Sequence, residues 1–324
     1  MTVQSNFDTL VTVFGGSGFV GRHVVRALAK HHYRIRVAVR RPELAGHLQP
    51  LGRVGQIHAV QANLRHPGSV AAAVRDADVV INLVGILFER GRQRFDAVQH
   101  AGAEAVAKAA ALHGARLVHM SALGADADAP SAYARSKAAG EQAVLAAVPG
   151  TTIVRPSVIF GPEDDLFNKF AGLARMLPVL PLIGGGKTRF QPVFVGDVAA
   201  AVAAAVVGAT KAGATYELGG NEVLTLREIF EYVLATIERR RLLIPIPFGL
   251  AKLQATFAQL LPKPPLKRDQ VDLLRRDGVV SKAAVDEGRT LAGLGIEPTS
   301  IQAIVPSYLW RFRPAGQFQH LRHG

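Results

Sequence analysis

Tyr133 and Lys137 stand four residues apart in Tyr133-Ala134-Arg135-Ser136-Lys137, the spacing that puts two side chains on one face of a helix. Ser121 precedes them at the end of a predicted strand. These three types suit proton exchange at a carbonyl oxygen. The tyrosine hydroxyl gives or takes the proton, the lysine ammonium eases its loss from the phenol, and the serine hydroxyl polarises the carbonyl. The lysine can also hold a ribose. Because Y-x-x-x-K recurs by chance, its meaning depends on the elements that carry it.

The first of those elements is an apolar, β-branched strand, Leu10-Val11-Thr12-Val13-Phe14. It stops at Gly15-Gly16-Ser17-Gly18-Phe19-Val20-Gly21, and a helix is predicted over Val20–Lys30. In this G-x-x-G-x-x-G turn, Gly15 permits the tight bend and Gly18 lets the backbone approach a pyrophosphate. Gly21 lets helix and strand pack closely, and the helix N-terminus faces the phosphate charge. A strand before the glycines and a helix after them is the setting a dinucleotide loop requires. The expected contacts are Gly15, Ser17, Gly18, Phe19, Val20 and Gly21.

Further strands are predicted at Arg34–Val39, Ile57–Gln61, Val79–Val84, Arg116–Ser121 and Thr152–Arg155. Helices are expected near Ser69–Arg75, Phe95–His113 and Ser131–Ala147. Such alternation implies right-handed crossovers and an α/β, doubly wound parallel sheet. After about Pro156 the alternation breaks down, and Pro, Gly and aromatic residues become frequent. Residues 1–160 are therefore expected to form a nucleotide-binding domain, rejoined by a helix over Val195–Val207 within about 190–210. Residues 161–189 and 211–324 would form a smaller, mixed domain.

The second strand ends in Val37-Ala38-Val39-Arg40-Arg41-Pro42, where NAD-binding sheets usually carry an acidic residue for the ribose 2′-hydroxyl. Arg40 and Arg41 there suit a 2′-phosphate through bidentate contacts, so NADPH/NADP+ is favoured over NAD(H). The first acidic residue, Glu43, lies beyond Pro42. Gly184-Gly185-Gly186-Lys187-Thr188 imitates the end of an ATP-binding loop. It lacks the required glycine, having Pro181 in that place, and Arg189-Phe190-Gln191-Pro192 is a poor helix start.

Composition narrows the chemistry. The 324 residues include no cysteine, which excludes disulfides, thiolate metal sites and a thiol nucleophile. Eleven histidines are scattered without metal-ligand spacing, so no metal is expected. With 38 Lys and Arg against 25 Asp and Glu, the net charge is +13, which favours anionic partners. No nucleic-acid recognition motif accompanies it, and specific nucleic-acid binding is not expected. No apolar run reaches the length of a membrane span, and Met1 to Asp8 is too polar for a signal peptide. The chain is expected to be soluble or peripheral to a membrane.

The glycine turn, Asn82-Leu83-Val84-Gly85 and the Ser121, Tyr133 and Lys137 set resemble extended, atypical short-chain dehydrogenase/reductases. Two longer runs narrow the likeness: Val154 to Asp164, reading V-R-P-S-V-I-F-G-P-E-D, and Phe190 to Ala199, reading F-Q-P-V-F-V-G-D-V-A. With these, the chain resembles a bacterial version of the NAD(P)H-binding accessory subunits of respiratory complex I, alpha-subcomplex subunit nine. The resemblance spans most of Leu10 to about Gly220 and is weaker beyond. It implies a Rossmann-like domain holding NADPH for structure. It adds Asn63, Leu64, Leu83, Val84, Gly85, Tyr133, Lys137, Pro156 and Val158 to the cofactor contacts. Asn63 stands where relatives often carry an Asp against the adenine, and an amide can still donate and accept there. The implied partners are complex I subunits near the quinone site and an anionic membrane surface. The implied location is cytoplasmic, peripheral on the inner membrane's cytoplasmic face. The alternative is a free-standing NADPH-dependent reductase or epimerase-like enzyme, acting on a hydrophobic carbonyl through Ser121, Tyr133 and Lys137.

Near the C-terminus, Leu250, Leu253, Phe257, Leu260 and Leu261 recur at helical spacing. Arg239-Arg240-Arg241 precede that stripe, and Lys263, Lys267 and Arg268 follow it. The stripe either lies on anionic lipid or a partner, or packs on the chain's own core. Tyr308-Leu309-Trp310-Arg311-Phe312-Arg313 reads either as aromatic anchors among cations or as a packed terminus.

Overall fold

The computed structural model describes residues 6–258, 268–314 and 316. Its centre is a seven-stranded sheet in which every pairing is parallel. Six strands come from the N-terminal half: β1 (Leu10–Phe14), β2 (Arg34–Val39), β3 (Ile57–Gln61), β4 (Val79–Asn82), β5 (Arg116–Met120) and β6 (Thr152–Pro156). The order runs β3-β2-β1-β4-β5-β6, and the strand Thr215–Leu218 closes the far edge against β6. The central strands β1 and β4 are buried along nearly their whole length, because helices cover both faces of such a sheet.

On one face lie α2 (Pro67–Val74), α3 (Ala101–Leu112) and α4 (Ala132–Ala147). Their Val70, Val74, Val106, Ala110 and Val144 bury Phe14, Val80 and Leu117 of the strands. α1 (Phe19–Lys30) packs instead with the helix Val195–Val207. Small side chains permit close approach where α4 meets the turn before α3. There a Cβ on Gly140 would fall 2.2 Å from the Gln99 carbonyl oxygen. The helix expected over Phe95–His113 is divided accordingly, into a wide π-helical turn at Asp96–His100 followed by α3.

Two compact units result. The sheet unit comprises the residues up to Pro156, Val195–Leu218 and Ser281–Glu297. The second comprises Ser157–Phe194, Gly219–Val280 and the residues from Pro298 onward. This division differs from the sequence reading at four places. Residues 157–160 and 190–194 fall in the second unit, while 211–218 and Ser281–Glu297 fall in the first. The reason is pairing: Glu217 takes the Ser281 N–H at 2.7 Å, and the Arg289 guanidinium donates to the Thr215 carbonyl.

In the second unit, helices Leu166–Met176 and Leu226–Thr236 and a parallel ribbon enclose an aromatic-rich core. The ribbon pairs Val179–Ile183 with Leu242–Ile246, and Phe160, Phe167, Phe230, Tyr308 and Leu309 are buried nearby. Tyr308 and Leu309 thus make the C-terminal run a packed segment. Asp164 is buried and accepts the Gly161 and Phe167 N–H groups, at 3.2 and 2.7 Å, and the Tyr308 hydroxyl. Burial holds the Asp164 carboxyl above its ordinary range despite these bonds. The helix Phe248–Ala258 buries Ala251 and Ala255 and leaves Leu250 and Leu253 exposed, so the expected stripe does not pack on the core there. The side chain of Phe257 and the residues Leu260, Leu261, Lys263 and Lys267 lie outside the described residues.

Candidate nucleotide site

At the C-terminal end of β1 the chain turns through Gly15 at φ +79°, a left-handed conformation that favours glycine. Gly15 N–H donates to Ala38 at the end of β2, and Gly18 N–H returns to the Gly15 carbonyl at 3.0 Å. Gly18 is the N-cap of α1, and no side chain caps the first turn. That leaves N-terminal N–H groups available to an anion. A Cβ on Gly21 would lie 2.2 Å from the Gly15 oxygen and 2.6 Å from the Gly16 Cα. The third glycine therefore serves helix-to-loop packing rather than the helix-to-strand contact expected.

The remaining expected contacts fall at neighbouring strand ends. Arg40 and Arg41 follow β2 and are exposed. Asn63 follows β3, where its Oδ1 accepts the Arg65 N–H at 3.2 Å and its N–H donates to Ser69 Oγ at 3.0 Å. The side-chain oxygen is thus already engaged, and the amide NH2 is its remaining donor. Leu64 is buried against α3 among the core residues, which leaves only its backbone to meet a ligand. After β4, the Leu83 N–H donates to Phe14 and the Val84 side chain approaches Gly15. Pro156 ends β6. Val158 belongs to the second unit, where its carbonyl accepts the Val193 N–H at 2.9 Å.

The expected proton-exchange group gathers around α4. Ser131 caps the helix by accepting the Ala134 N–H at 3.3 Å. Tyr133, in the first turn, is half-buried and meets Phe95 edge-on at 5.8 Å between ring centroids. One turn on, Lys137 is buried and its ammonium donates to the Met120 carbonyl at 3.1 Å. A Cβ on Gly85 would lie 3.3 Å from that nitrogen, so the bare glycine gives the ammonium room. Burial draws Lys137 down to about 8, against the Glu141 carboxylate, which holds it up. Ser121 follows β5 and is buried.

Sequence reasoning gave no role to the polar residues behind this group. Asn82 and His119 are register partners across β4 and β5, with Asn82 Nδ2 3.3 Å from His119 Nδ1. Asn82 Oδ1 accepts the Val84 N–H at 3.1 Å, which makes Nδ2 the donor and puts the imidazole proton on Nε2. Burial, with the Lys137 charge, pushes His119 down to about 3, so the ring is neutral. Behind Lys137, Glu141 is held by Arg155 through Nε at 2.8 Å and Nη2 at 2.5 Å. The Tyr133-x3-Lys137-x3-Glu141 spacing, one helix face over about two turns, is the local signal that could have found Glu141.

His119 Nε2 and Ser121 Oγ are buried without a hydrogen-bond partner among the described residues. An unmet buried polar group costs about 1–3 kcal/mol, and such groups are often completed by a ligand. The Ser121 hydroxyl, the uncapped α1 terminus and the Lys137 ammonium, which has donors beyond its one bond to Met120, thus fit a polar dinucleotide. Among the described residues no cluster of metal-ligating side chains occurs.

The profile of the NAD dependent epimerase/dehydratase family matches residues 11–219, from β1 through the last sheet strand. The chain belongs to that family. As a member it shares 36% identity over 95% of its length with the mitochondrial NADH dehydrogenase [ubiquinone] 1 alpha subcomplex subunit 9 of Arabidopsis thaliana, covering 79% of that protein. It is 38% identical to a ceramide reductase of Caulobacter vibrioides over 60% of each chain. The fold is that of the Escherichia coli NADPH-dependent quinone oxidoreductase QOR2, solved with NADPH, at TM-score 0.72 and 18% identity over 93% of this chain and 99% of that one. This is an NAD(P)-binding epimerase/dehydratase fold, Rossmann-like and doubly wound. Among its described residues no helix is long and apolar enough to cross a membrane.

Proposed function

We propose that this family member is an NADP(H)-holding accessory subunit of respiratory complex I, seated beside the quinone-reducing region on the cytoplasmic face of the inner membrane. The observation that carries this reading is extent and identity together: likeness to the alpha-subcomplex subunit runs at 36% identity over 95% of this chain. In this role the loop Gly15 to Gly21 and the α1 terminus hold the pyrophosphate. Arg40 and Arg41 hold a 2′-phosphate, the Asn63 amide faces the adenine, and Lys137 holds the nicotinamide ribose. Affinity purification of a tagged chain from its own host tests the assembly. Quinone-oxidoreductase subunits are expected to co-purify in stoichiometric amount, and their absence would refute the subunit role.

The unmet Ser121 hydroxyl favours a second reading, a reductase of a hydrophobic carbonyl. When bound, NADPH supplies a hydride. Tyr133 would donate the proton to the carbonyl oxygen while Ser121 Oγ holds that oxygen and Lys137 stabilises the phenolate that remains. With a panel of long-chain ketones, Tyr133→Phe should abolish NADPH oxidation and leave NADPH affinity nearly unchanged. Oxidation that persists in the variant would end this reading.

A further inference from the structure

In the second unit an open groove of about 510 Å³ runs along the helix Leu226–Thr236. Arg227, Glu231 and Leu234 line it at four- and three-residue spacing, one face of that helix. Beyond the helix, Glu238 adopts φ +54° and turns the chain back, which delivers Arg239, Arg240 and Arg241 to the opposite end. Four guanidiniums therefore border one groove that contains a single carboxylate, and Glu231 is already paired with Arg227 at 3.7 Å. Arg239 and Arg241 are anchored through Nε to the Phe312 and Ala174 carbonyls, at 2.9 and 2.7 Å. Arg241 also donates through Nη1 to the Arg240 carbonyl at 2.8 Å, which fixes its guanidinium and leaves Nη2 for a ligand, while both outer nitrogens of Arg239 stay available. Among the described residues no carboxylate pairs with Arg239, Arg240 or Arg241.

The wall between these cations is apolar. Leu242 lines the groove and is 69% exposed, and Ile244 emerges on the same face of the strand. The Leu242 N–H donates to Pro178, which brings the 71%-exposed Met176 and its neighbour Leu177 to the same edge. With Arg227 compensated by Glu231, the excess charge is that of Arg239, Arg240 and Arg241, three consecutive cations that suit several phosphates better than one. Exposed aliphatic side chains beside them suit the boundary between headgroups and acyl chains.

We propose that this groove binds the phosphodiester headgroups of an anionic bilayer, with Leu242 and Ile244 entering the interface. The inference rests on the membrane-side placement proposed above and supplies its chemistry. Bidentate Arg–phosphate bonds give the headgroup contact, and the apolar wall supplies what a soluble phosphate cannot use.

Co-sedimentation of the full chain with vesicles of equimolar phosphatidylglycerol and phosphatidylcholine tests it. Binding is expected for these vesicles and not for pure phosphatidylcholine. Arg240→Glu should weaken it by about tenfold or more, from the loss of one cation near the surface and the gain of an anion. Leu242→Ser should weaken it severalfold while leaving any binding of soluble glycerol phosphate unchanged. NADPH affinity, measured on the same samples, reports a folded sheet unit and should not change. Unaltered vesicle binding in Arg240→Glu would overturn the proposal. Full displacement by millimolar glycerol phosphate, with Leu242→Ser behaving as wild type, would overturn the lipid source and leave a soluble-phosphate site. Recovery of complex I subunits is a separate measurement, so a chain that binds vesicles but recovers none fails only the subunit reading.

Discussion

Arg155 grips Glu141 in a two-pronged ion pair between β6 and α4, one helical turn from the Lys137 ammonium. Glu141 is almost wholly buried, and Arg155 extends to Glu217 at 4.0 Å. The pair thus links the site helix to the strand that closes the sheet.

Breaking that pair from one side leaves a buried charge alone. Arg155→Met is expected to cost about 3–5 kcal/mol, and the Glu141→Leu, Arg155→Met double substitution markedly less. Urea denaturation of the two single variants and the double variant completes the cycle. Additive losses would mean that the pair is not coupled.

The charge on Lys137 sets a pH window. Its folded value, about 8, lies below that of the unfolded lysine. Between about 8 and the ordinary lysine range the unfolded chain holds a proton the folded chain has released, so this group's contribution to stability rises with pH there. Below about 8 its desolvation cost is full. The ammonium that would hold a ribose is lost over the same interval, so NADPH affinity should weaken above pH 8. In Glu141→Gln the weakening should begin at lower pH, because the carboxylate that supports the charge is gone. Calorimetric Kd values across pH 6 to 10 follow it, and coincident profiles would refute the coupling.

Two glycines of one loop should respond differently to a methyl group. Gly21→Ala drives a Cβ into the Gly15 carbonyl, so it should cost about 1–3 kcal/mol and abolish nucleotide binding. At Gly18 the Cβ would lie 3.3 Å from that oxygen, a contact small shifts relieve, and its backbone is extended at φ −76°. Gly18→Ala should keep its melting temperature and lose affinity alone. Thermal melts paired with NADPH titration separate the two, and equal melting temperatures would contradict the packing account.

Cofactor choice turns on Arg40 and Arg41. Arg40→Ala should weaken NADPH by about tenfold or more, the worth of charged hydrogen bonds to phosphate, and barely change NADH. Parallel titrations with both dinucleotides measure it. Equal weakening would remove the 2′-phosphate assignment.

The β1–glycine–α1 unit was legible because its signals are contiguous: β-branched residues, then a left-handed glycine, then helical spacing. Strand ends were less so. Val79–Val84 stops at Asn82 because Asn82 Oδ1 takes the Val84 N–H, a side-chain bond that competes with the ladder. The Glu141–Arg155–Glu217 chain was hidden because its members are 14 and 62 residues apart and meet only after the sheet forms. Leu250 and Leu253 follow a helical pattern and yet face outward, since periodicity marks a face without saying what covers it.

The outer strand Thr215–Leu218 and the helix Val195–Val207 complete a sheet whose other strands all precede Ser157. During synthesis, then, the nascent chain leaves the ribosome with the β6 edge unpaired and α1 without its neighbour until those segments follow. A bare strand edge is a template for unwanted association. The N-terminal half is accordingly a poor candidate for separate expression.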